Sequence, residues 1–417
     1  MGNNIWVIDP YSEIPKTGWR HGRYYLIAKA LSENGYIVNL FISNFSHKEK
    51  KIEVVDYINI SININFNIVV VPSLEYYNHV SYERIRYEKI FAKNVNENKY
   101  NLPLPDVVIL KEPAIFMFDQ LKPLLKKSNA KVVVDIIDLW PELFELKLPK
   151  KLRWLGDIIF YPFYFKRNKI FKRASAITAV APDYLELAIK SNNNIPNKVI
   201  YWGCDIGGIN SLLNSNSNSL FSELNLPEKN DKIWGIYAGT LGENYDLLSL
   251  LKASSVLNND LPQLKILIAG AGPLEKTVIE FAEKNKNIFY LGNLPTDKLY
   301  KLFSFCDFGF STYSEASTVS MPIKCFDYLA AGLPLVNSLN RNLGALIEEY
   351  KIGYQYEASN YNSLVATIKK LMDDKDNLNS MKEKCKSIGN KFDNHIQYSK
   401  FVTLLDDLLE KKYIKLI

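Results

Sequence analysis

The chain has 417 residues, of which 47% are hydrophobic and 23% are charged. This composition is ordinary for a folded globular protein and excludes an intrinsically disordered one, and the length predicts two domains. The formal net charge of +6 is too small to require a nucleic-acid partner, and we expect none, although it permits contact with an anionic surface.

Cysteines and histidines are few and scattered, with 4 of each. No C-x-x-C pair occurs, so we expect neither a disulfide framework nor a metal cluster. The N-terminus leads directly into the strand-like residues 5–8, without the charged and apolar regions of a signal peptide. No run of about 18 apolar residues occurs, so no transmembrane helix is expected. We therefore expect a cytoplasmic protein in a reducing compartment.

The first half alternates short apolar runs with helical patterns. The runs are nearly continuous rather than alternating, as buried parallel strands should be. The predicted strands are residues 5–8, 38–42, 67–71, 106–110, 131–136, 176–180 and 198–201. Helical patterns at 23–34 and 118–127 lie between them, which predicts a doubly wound α/β domain.

A polar stretch interrupts this series. Residues 209–230 include the low-complexity segment 214–219 and Pro227, which predicts a loop or linker. The strand–helix alternation then restarts, with strands predicted at 232–238, 264–269, 288–291, 308–311 and 333–338. The last segment, 393–415, is helical and apolar on one side. We therefore predict domains at residues 1–205 and 206–392, followed by a C-terminal helix at 393–417.

Two glycine-rich turns follow strands of the second half. In the first, Gly239, Thr240 and Gly242 let the backbone approach a ligand, and the helix from Leu247 points its amides at an anion. A plain tight turn explains this spacing equally well. In the second, Gly270 and Gly272 precede Pro273, but the third glycine of a dinucleotide fingerprint is missing. This turn is interpreted as lining the cleft, and a purely structural turn is an equal alternative.

The richest segment is 313–336. Pro322 is expected to start a helix, and Lys324 and Asp327 are three residues apart, so they share a helix face. A cation and a carboxylate near a helix N-terminus suit the phosphate and the ribose of a nucleotide. The alternative is a solvated ion pair between the two.

Together these segments resemble the retaining glycosyltransferase family 4, which has the GT-B fold of two Rossmann-like domains facing each other across a cleft. The run from Pro322 through Lys324 and Asp327 to Pro334 is similar to the family's P-x-K-x-x-E-Y-x-A-x-G-x-P segment. The resemblance covers roughly residues 232–340 and is closest to members that build bacterial surface polysaccharides. The N-terminal half matches more weakly, at 18–20 and 138–141.

The resemblance implies a role for each matching residue. The second domain would bind the donor and the first the acceptor, with the C-terminal helix packing back on the first. Asp327 would bind the ribose diol, Lys324 would act on the leaving phosphate, and Leu294 would border the base. The other implied donor contacts are Gly18, Gly239, Thr240, Gly242, Gly270, Gly272 and Pro322. The implied acceptor contacts are Arg20 and Trp140.

Departures from the family pattern leave part of the chemistry open. The family's first glutamate falls on Val319, and Glu315 replaces it only if the loop is shifted. The histidine that often precedes Asp138 is Ile137, so Asp138 is only a candidate for acceptor-side chemistry. Fixed amides and Lys324 can neutralise a leaving diphosphate, so we expect no cofactor and no metal.

We therefore predict a glycosyltransferase that moves a sugar from a UDP- or GDP-linked donor to an oligosaccharide or lipid-linked acceptor. The alternatives are a sugar-nucleotide epimerase of the same fold and a non-catalytic binding subunit.

The stretch 147–173 is basic and aromatic with one acid, Asp157, which favours peripheral contact with the inner face of an anionic membrane. In the alternative, its aromatic residues are the buried side of helices, and Pro162 interrupts any single long helix.

Overall fold

The computed structural model describes residues 3–17, 19–78, 81–145, 148–192, 194–214 and 218–414. The chain forms two compact α/β units. The first comprises Met1–Lys16, His21–Tyr201 and Gln397–Ile417, and the second comprises Thr17–Arg20 and Trp202–Ile396.

The first unit is built on an eight-stranded sheet in the order β10-β9-β8-β7-β1-β2-β6-β5, parallel except for β5. Its strands, with the separate β3–β4 hairpin, are β1 (Asn4–Ile8), β2 (Ile37–Ser43), β3 (Phe45–Ser46), β4 (Lys51–Ile52), β5 (Ile58–Asn63), β6 (Phe66–Val71), β7 (Val107–Glu112), β8 (Lys131–Ile136), β9 (Ala176–Ala179) and β10 (Asn197–Val199). Its helices are α1 (Arg23–Glu33), α2 (Tyr82–Glu97), α3 (Phe118–Ser128), α4 (Glu142–Glu145), a 3₁₀ helix (Lys150–Leu155), α5 (Gly156–Ile159), α6 (Tyr161–Arg173) and α7 (Pro182–Ile189).

The second unit contains a six-stranded parallel sheet in the order β13-β12-β11-β14-β15-β16. Its strands are β11 (Ile233–Ala238), β12 (Leu264–Ala269), β13 (Ile288–Tyr290), β14 (Phe308–Ser311), β15 (Leu335–Asn337) and β16 (Gly353–Gln355). Its helices are α8 (Ile206–Leu213), α9 (Asn218–Glu223), α10 (Leu247–Asp260), α11 (Glu275–Lys284), α12 (Thr296–Phe303), α13 (Ile323–Ala330), α14 (Asn342–Tyr350), α15 (Tyr361–Asp373), α16 (Lys375–Gly389) and a 3₁₀ helix (Asn390–Phe392). The chain ends in α17 (Asn394–Ile414), which lies in the first unit from Gln397 onward.

Buried apolar side chains hold each unit together. In the first unit, Phe401 and Leu405 of α17 are fully buried in one cluster with Ile5 and Val7 of β1 and Leu31 of α1. The first unit also contains a buried ion pair, in which the Arg23 guanidinium donates to both oxygens of Asp135 at 2.7 and 2.9 Å. Both side chains are fully buried, and the pair links α1 to β8 directly.

The structure corrects one prediction and adds strands that the sequence did not predict. Residues 209–230 are not only a loop, since α8 continues to Leu213 and α9 follows at Asn218–Glu223. Both segments fold as helices because each buries an apolar side chain, Ile209 in α8 and Leu220 in α9. Strands β5 and β16 were not predicted: β5 is largely exposed and half polar, and β16 has only three residues.

The basic stretch 147–173 is not one helix. The 3₁₀ helix, α5 and α6 follow each other there, and α6 has Pro162 in its first turn. Lys147 lies outside the described residues. Within the described part of the chain, no helix is both long and apolar enough to span a bilayer.

Candidate functional site

Two glycine loops meet at the carboxyl ends of β11 and β12. The Gly239 amide donates to the Ala269 carbonyl at 2.9 Å, and the Leu241 amide donates to Ala271 at 3.0 Å. Gly270 has a φ of +143°, and a Cβ there would lie 1.9 Å from the Gly239 oxygen. Gly272, at φ +154°, would place a Cβ 2.5 Å from the Leu241 oxygen. This close packing of the loops explains why Gly270 and Gly272 are glycines without invoking a ligand.

Helix α13 brings Lys324 against the first of these loops. The hydroxyl of Tyr328, one turn further along α13, accepts a hydrogen bond from the Ala238 amide at 2.8 Å and so fixes the helix against β11. Lys324 Nζ then lies above the loop, since a Cβ on Gly239 would be 3.2 Å from it. Pro322 is the residue that precedes the first turn of α13.

The Lys324 ammonium lies in a cage of three tyrosines. Its nitrogen is 4.0 Å from the ring centre of Tyr237, 4.7 Å from Tyr245 and 5.0 Å from Tyr313. It is shielded from solvent and makes no hydrogen bond with any described residue. Burial lowers the pKa of Lys324 to about 7. A buried cation that lacks an anionic partner is suited to receive one from a ligand.

Asp327 lies on the next turn of α13, and its partner is not Lys324. Its Oδ2 pairs with Nη1 of Arg20 at 2.5 Å, and its Oδ1 accepts from the Tyr300 hydroxyl at 3.3 Å. Arg20 also donates to the Gly203 carbonyl at 2.7 Å. Burial raises the pKa of Asp327, while Arg20 acts in the opposite direction. The solvated ion pair between Lys324 and Asp327 is therefore absent from the described structure, and both groups face inward.

Arg20 was expected on the acceptor side. Instead, the segment Thr17–Arg20 belongs to the second unit, and Arg20 binds the carboxylate expected to take the ribose. Gly18, expected to face the donor phosphates, lies outside the described residues. A ribose that binds Asp327 must therefore share this carboxylate with Arg20 or displace it.

Other residues expected to bind the donor or to act there lie in the first glycine loop or next to it. The Thr240 carbonyl accepts from the Tyr237 hydroxyl at 2.7 Å, and the Gly242 carbonyl accepts from the Tyr245 amide at 3.0 Å. Glu315 is exposed in a turn whose Ser314 amide donates to the Asn244 carbonyl at 3.1 Å.

Leu294 is half-buried in the connection between β13 and α12. The start of that connection contacts the glycine loops, since the Gly270 amide donates to the Gly292 carbonyl at 2.7 Å.

In the first unit, Asp138 and Trp140 follow β8 and differ in exposure. Solvent reaches Asp138, yet the surrounding protein atoms raise its pKa, and Lys111 and Arg84 oppose that shift. Trp140 is buried, and the Arg84 guanidinium lies 4.5 Å from the centre of its ring. Trp140 is thus a core side chain covered by the Arg84 guanidinium, and its contact with the acceptor stays a prediction.

Sequence reasoning missed a polar cluster beside Asp138. Lys111 Nζ pairs with Asp9 at 3.0 Å, and Tyr11 donates to the Glu88 carboxylate. Burial raises the pKa of Glu88 to about 7 and that of Glu112 to about 8. A signal was present, because Asp9 and Lys111 stand at the carboxyl ends of β1 and β7, where α/β sheets bind ligands.

A known family model matches most of the second unit. Residues 219–388 match the family model described as "Glycosyl transferases group 1". Two chitobiosyldiphosphodolichol beta-mannosyltransferases are similar. The protein from Eremothecium gossypii is 26% identical over 108 residues, which are 25% of this chain and 23% of that protein. The protein from Kluyveromyces lactis is 26% identical over 100 residues, 23% of this chain and 22% of that protein. The matches thus span less than a quarter of either relative.

Solved structures match nearly the whole chain. The sucrose-phosphate synthase of Thermosynechococcus elongatus has a TM-score of 0.75 at 14% identity, covering 98% of this chain and 100% of that one. An E. coli trehalose-6-phosphate structure bound with UDP-2-fluoro glucose has a TM-score of 0.74 at 13% identity, covering 97% and 99%. Anabaena HepE in complex with UDP has a TM-score of 0.67 at 12% identity, covering 97% and 100%. At these identities the likeness establishes the fold, two Rossmann-like halves of the GT-B type. Residues 219–388 thus resemble a glycosyltransferase group 1 domain.

Proposed function

We propose that this chain transfers a sugar from a nucleoside diphosphate donor to an oligosaccharide or lipid-linked acceptor in the synthesis of a surface polysaccharide. The observation that carries the proposal is the unpaired ammonium of Lys324, held over the Gly239 loop inside the matched domain. A diphosphate at this loop supplies the anion that the cage lacks. Asp327 holds the ribose, and Leu294 borders the base.

UDP is the first nucleotide to test, because the similar Anabaena and E. coli structures were solved with UDP or a UDP-sugar. The names of the two mannosyltransferase relatives contain a sugar joined through a diphosphate to a lipid, which supports a lipid-linked acceptor here. Such an acceptor is met at a membrane surface, so the proposal includes peripheral contact with the inner leaflet.

The proposed reaction retains configuration at the sugar. The acceptor oxygen forms a bond to the anomeric carbon, the bond from that carbon to the β-phosphate oxygen breaks, and the acceptor proton passes to a phosphate oxygen. Lys324 and the backbone amides stabilise the charge that grows on the leaving diphosphate, a role that otherwise falls to a metal. Glu315 and Asp138 are the carboxylates proposed to assist on the donor and acceptor sides.

The test is product analysis by mass spectrometry, with UDP- and GDP-sugars supplied first alone and then with a diphosphate-linked lipid acceptor. Transfer only when acceptor is present supports the proposal. Conversion of the donor sugar without acceptor identifies an epimerase, and nucleotide binding without turnover identifies a binding subunit. The anomeric coupling of the product, measured by NMR, tests retention, and full activity in excess EDTA is the expected result for metal independence.

A further inference from the structure

A basic groove lies between α3 and α6 of the first unit, and its lining includes none of the polar residues described above. It encloses a cavity of about 430 Å³. The two helices contribute five cations to its walls: Lys122, Lys126, Lys166, Lys169 and Arg173. Its apolar lining comes from Ile115, Phe118 and Ile170.

The positive charge of this groove is almost uncompensated. Helix α6 contains no acid, and the single acid of α3 is Asp119, which Lys122 holds at 2.6 Å. Hydrogen bonding to Lys122 lowers the pKa of Asp119, and the charges of Lys166 and Lys169 add to that shift. Among the described residues, no carboxylate forms an ion pair with the other four cations, so the groove has the charge to bind an anion.

An exposed aromatic stripe leads into the groove along α6. Tyr161 and Phe165 stack with ring centres 6.2 Å apart, and Lys169 Nζ lies 4.3 Å from the Phe165 ring centre. Tyr161 is 63% exposed, and Trp154 in the preceding 3₁₀ helix is 74% exposed. Large aromatic side chains that face solvent beside clustered cations suit the headgroup layer of an anionic bilayer.

We propose that the groove between α3 and α6 binds the phosphate of an anionic lipid headgroup while Tyr161 and Phe165 enter the headgroup layer. This rests on the proposed function, since a lipid-linked acceptor brings the protein to a membrane. Cations from two helices surround one cavity, so the groove binds one phosphate at a defined position, unlike a flat basic surface.

The first experiment is flotation with vesicles of phosphatidylcholine, with and without phosphatidylglycerol. Changing one cation of each helix, Lys126→Glu with Lys169→Glu, should weaken binding to the anionic vesicles at least ~30-fold, since each basic residue near the surface contributes about 1 kcal/mol. The matched control is Lys252→Glu with Lys284→Glu, two exposed positions of the second unit, which should bind like the wild type. An equal loss of vesicle binding in both double variants, or no loss in either, overturns the proposal.

The second experiment separates a defined site from diffuse attraction. Dihexanoylphosphatidylglycerol below its micelle concentration and inorganic phosphate are titrated separately, with dihexanoylphosphatidylcholine as the neutral lipid control. Saturable binding of the anionic lipid, lost in the Lys126/Lys169 variant, is expected. Absence of that binding overturns the groove as a site, and equally tight binding of inorganic phosphate assigns it to a free anion instead of a lipid.

Sugar transfer to a water-soluble acceptor keeps the two proposals apart. The Lys126/Lys169 variant should retain the wild-type rate, because neither residue belongs to the donor site. A wild-type protein that binds vesicles but transfers no sugar defeats the proposed function. If the protein transfers sugar but binds no anionic lipid, the proposal that the groove is a lipid site is wrong.

Discussion

Donor binding should be coupled to protonation of Lys324. In the donor-free protein, burial lowers the pKa of this lysine to about 7, so at pH 8 about nine-tenths of it is neutral. A diphosphate beside Nζ favours the charged form and raises the pKa again. Binding at pH 8 should therefore take up close to one proton, and affinity should fall about tenfold per unit as the pH rises from 8 to 9.

Isothermal titration calorimetry measures this coupling directly. The binding enthalpy of UDP is recorded at pH 8 in buffers of different ionisation enthalpy, and the slope against that enthalpy gives the number of protons taken up. The range from pH 7.5 upward is chosen because the UDP phosphate is then essentially ionised and contributes little. Lys324→Met keeps a long unbranched side chain without charge, so it should bind UDP weakly and without the pH dependence.

Lys324 should also make the stability of the donor-free protein depend on pH. This dependence is opposite to that of donor affinity, because stability should increase as the pH rises. Because its pKa is lower in the folded than in the unfolded protein, the unfolded state binds more protons above pH 7. The donor-free protein should therefore gain up to about 1.4 kcal/mol of unfolding free energy per pH unit from this group above pH 7. No proton uptake on UDP binding, or the same pH profile in Lys324→Met, would refute the reasoning.

Three further substitutions test other parts of the structure. Asp327→Ala should weaken UDP binding about 10- to 150-fold in calorimetry, because charged hydrogen bonds of roughly 1.5–3 kcal/mol to the ribose are lost. Gly270→Ala should lower the free energy of unfolding by at least about 2 kcal/mol in urea, because its Cβ would lie 1.9 Å from the Gly239 oxygen. Arg23→Leu should cost about 3–5 kcal/mol in the same assay, because it leaves the Asp135 carboxylate buried and unpaired.

Each of these substitutions has a matched control. Asp327→Glu keeps the carboxylate and should retain most of the affinity. Gly22→Ala places a Cβ 3.8 Å from its nearest neighbour and should change stability little, so an equal loss there would remove the steric argument for Gly270. Arg23→Leu combined with Asp135→Leu removes both charges and should be less destabilising than Arg23→Leu alone; equal or greater loss would contradict the charge argument.

The fold was largely predictable because its strands are short and apolar on both faces. β8 and β12 begin and end at the residues expected, since five of the six residues in each strand are buried. β5 was not predictable in this way, because its sequence, INISIN, carries polar residues at every second position and pairs only along the edge of the sheet.

The site was predictable only where its residues are neighbours in sequence. The spacing of Lys324 and Asp327 shows that both lie near the start of one helix. It does not reveal that Arg20, 307 residues away, forms an ion pair with the Asp327 carboxylate, or that three tyrosines surround Lys324. Such contacts depend on how distant segments pack, which local periodicity does not encode.

The position of α17 affects the order in which the chain acquires its structure during synthesis. Phe401 and Leu405 complete the core of the first unit, and Tyr36 of that unit donates to Asp406. The ribosome makes these residues after the whole second unit. The first unit therefore emerges early but keeps an open apolar surface until α17 is made, whereas the second unit has all its residues by Ile396 and can close first. A nascent chain stalled before α17 should need a chaperone for its N-terminal half alone.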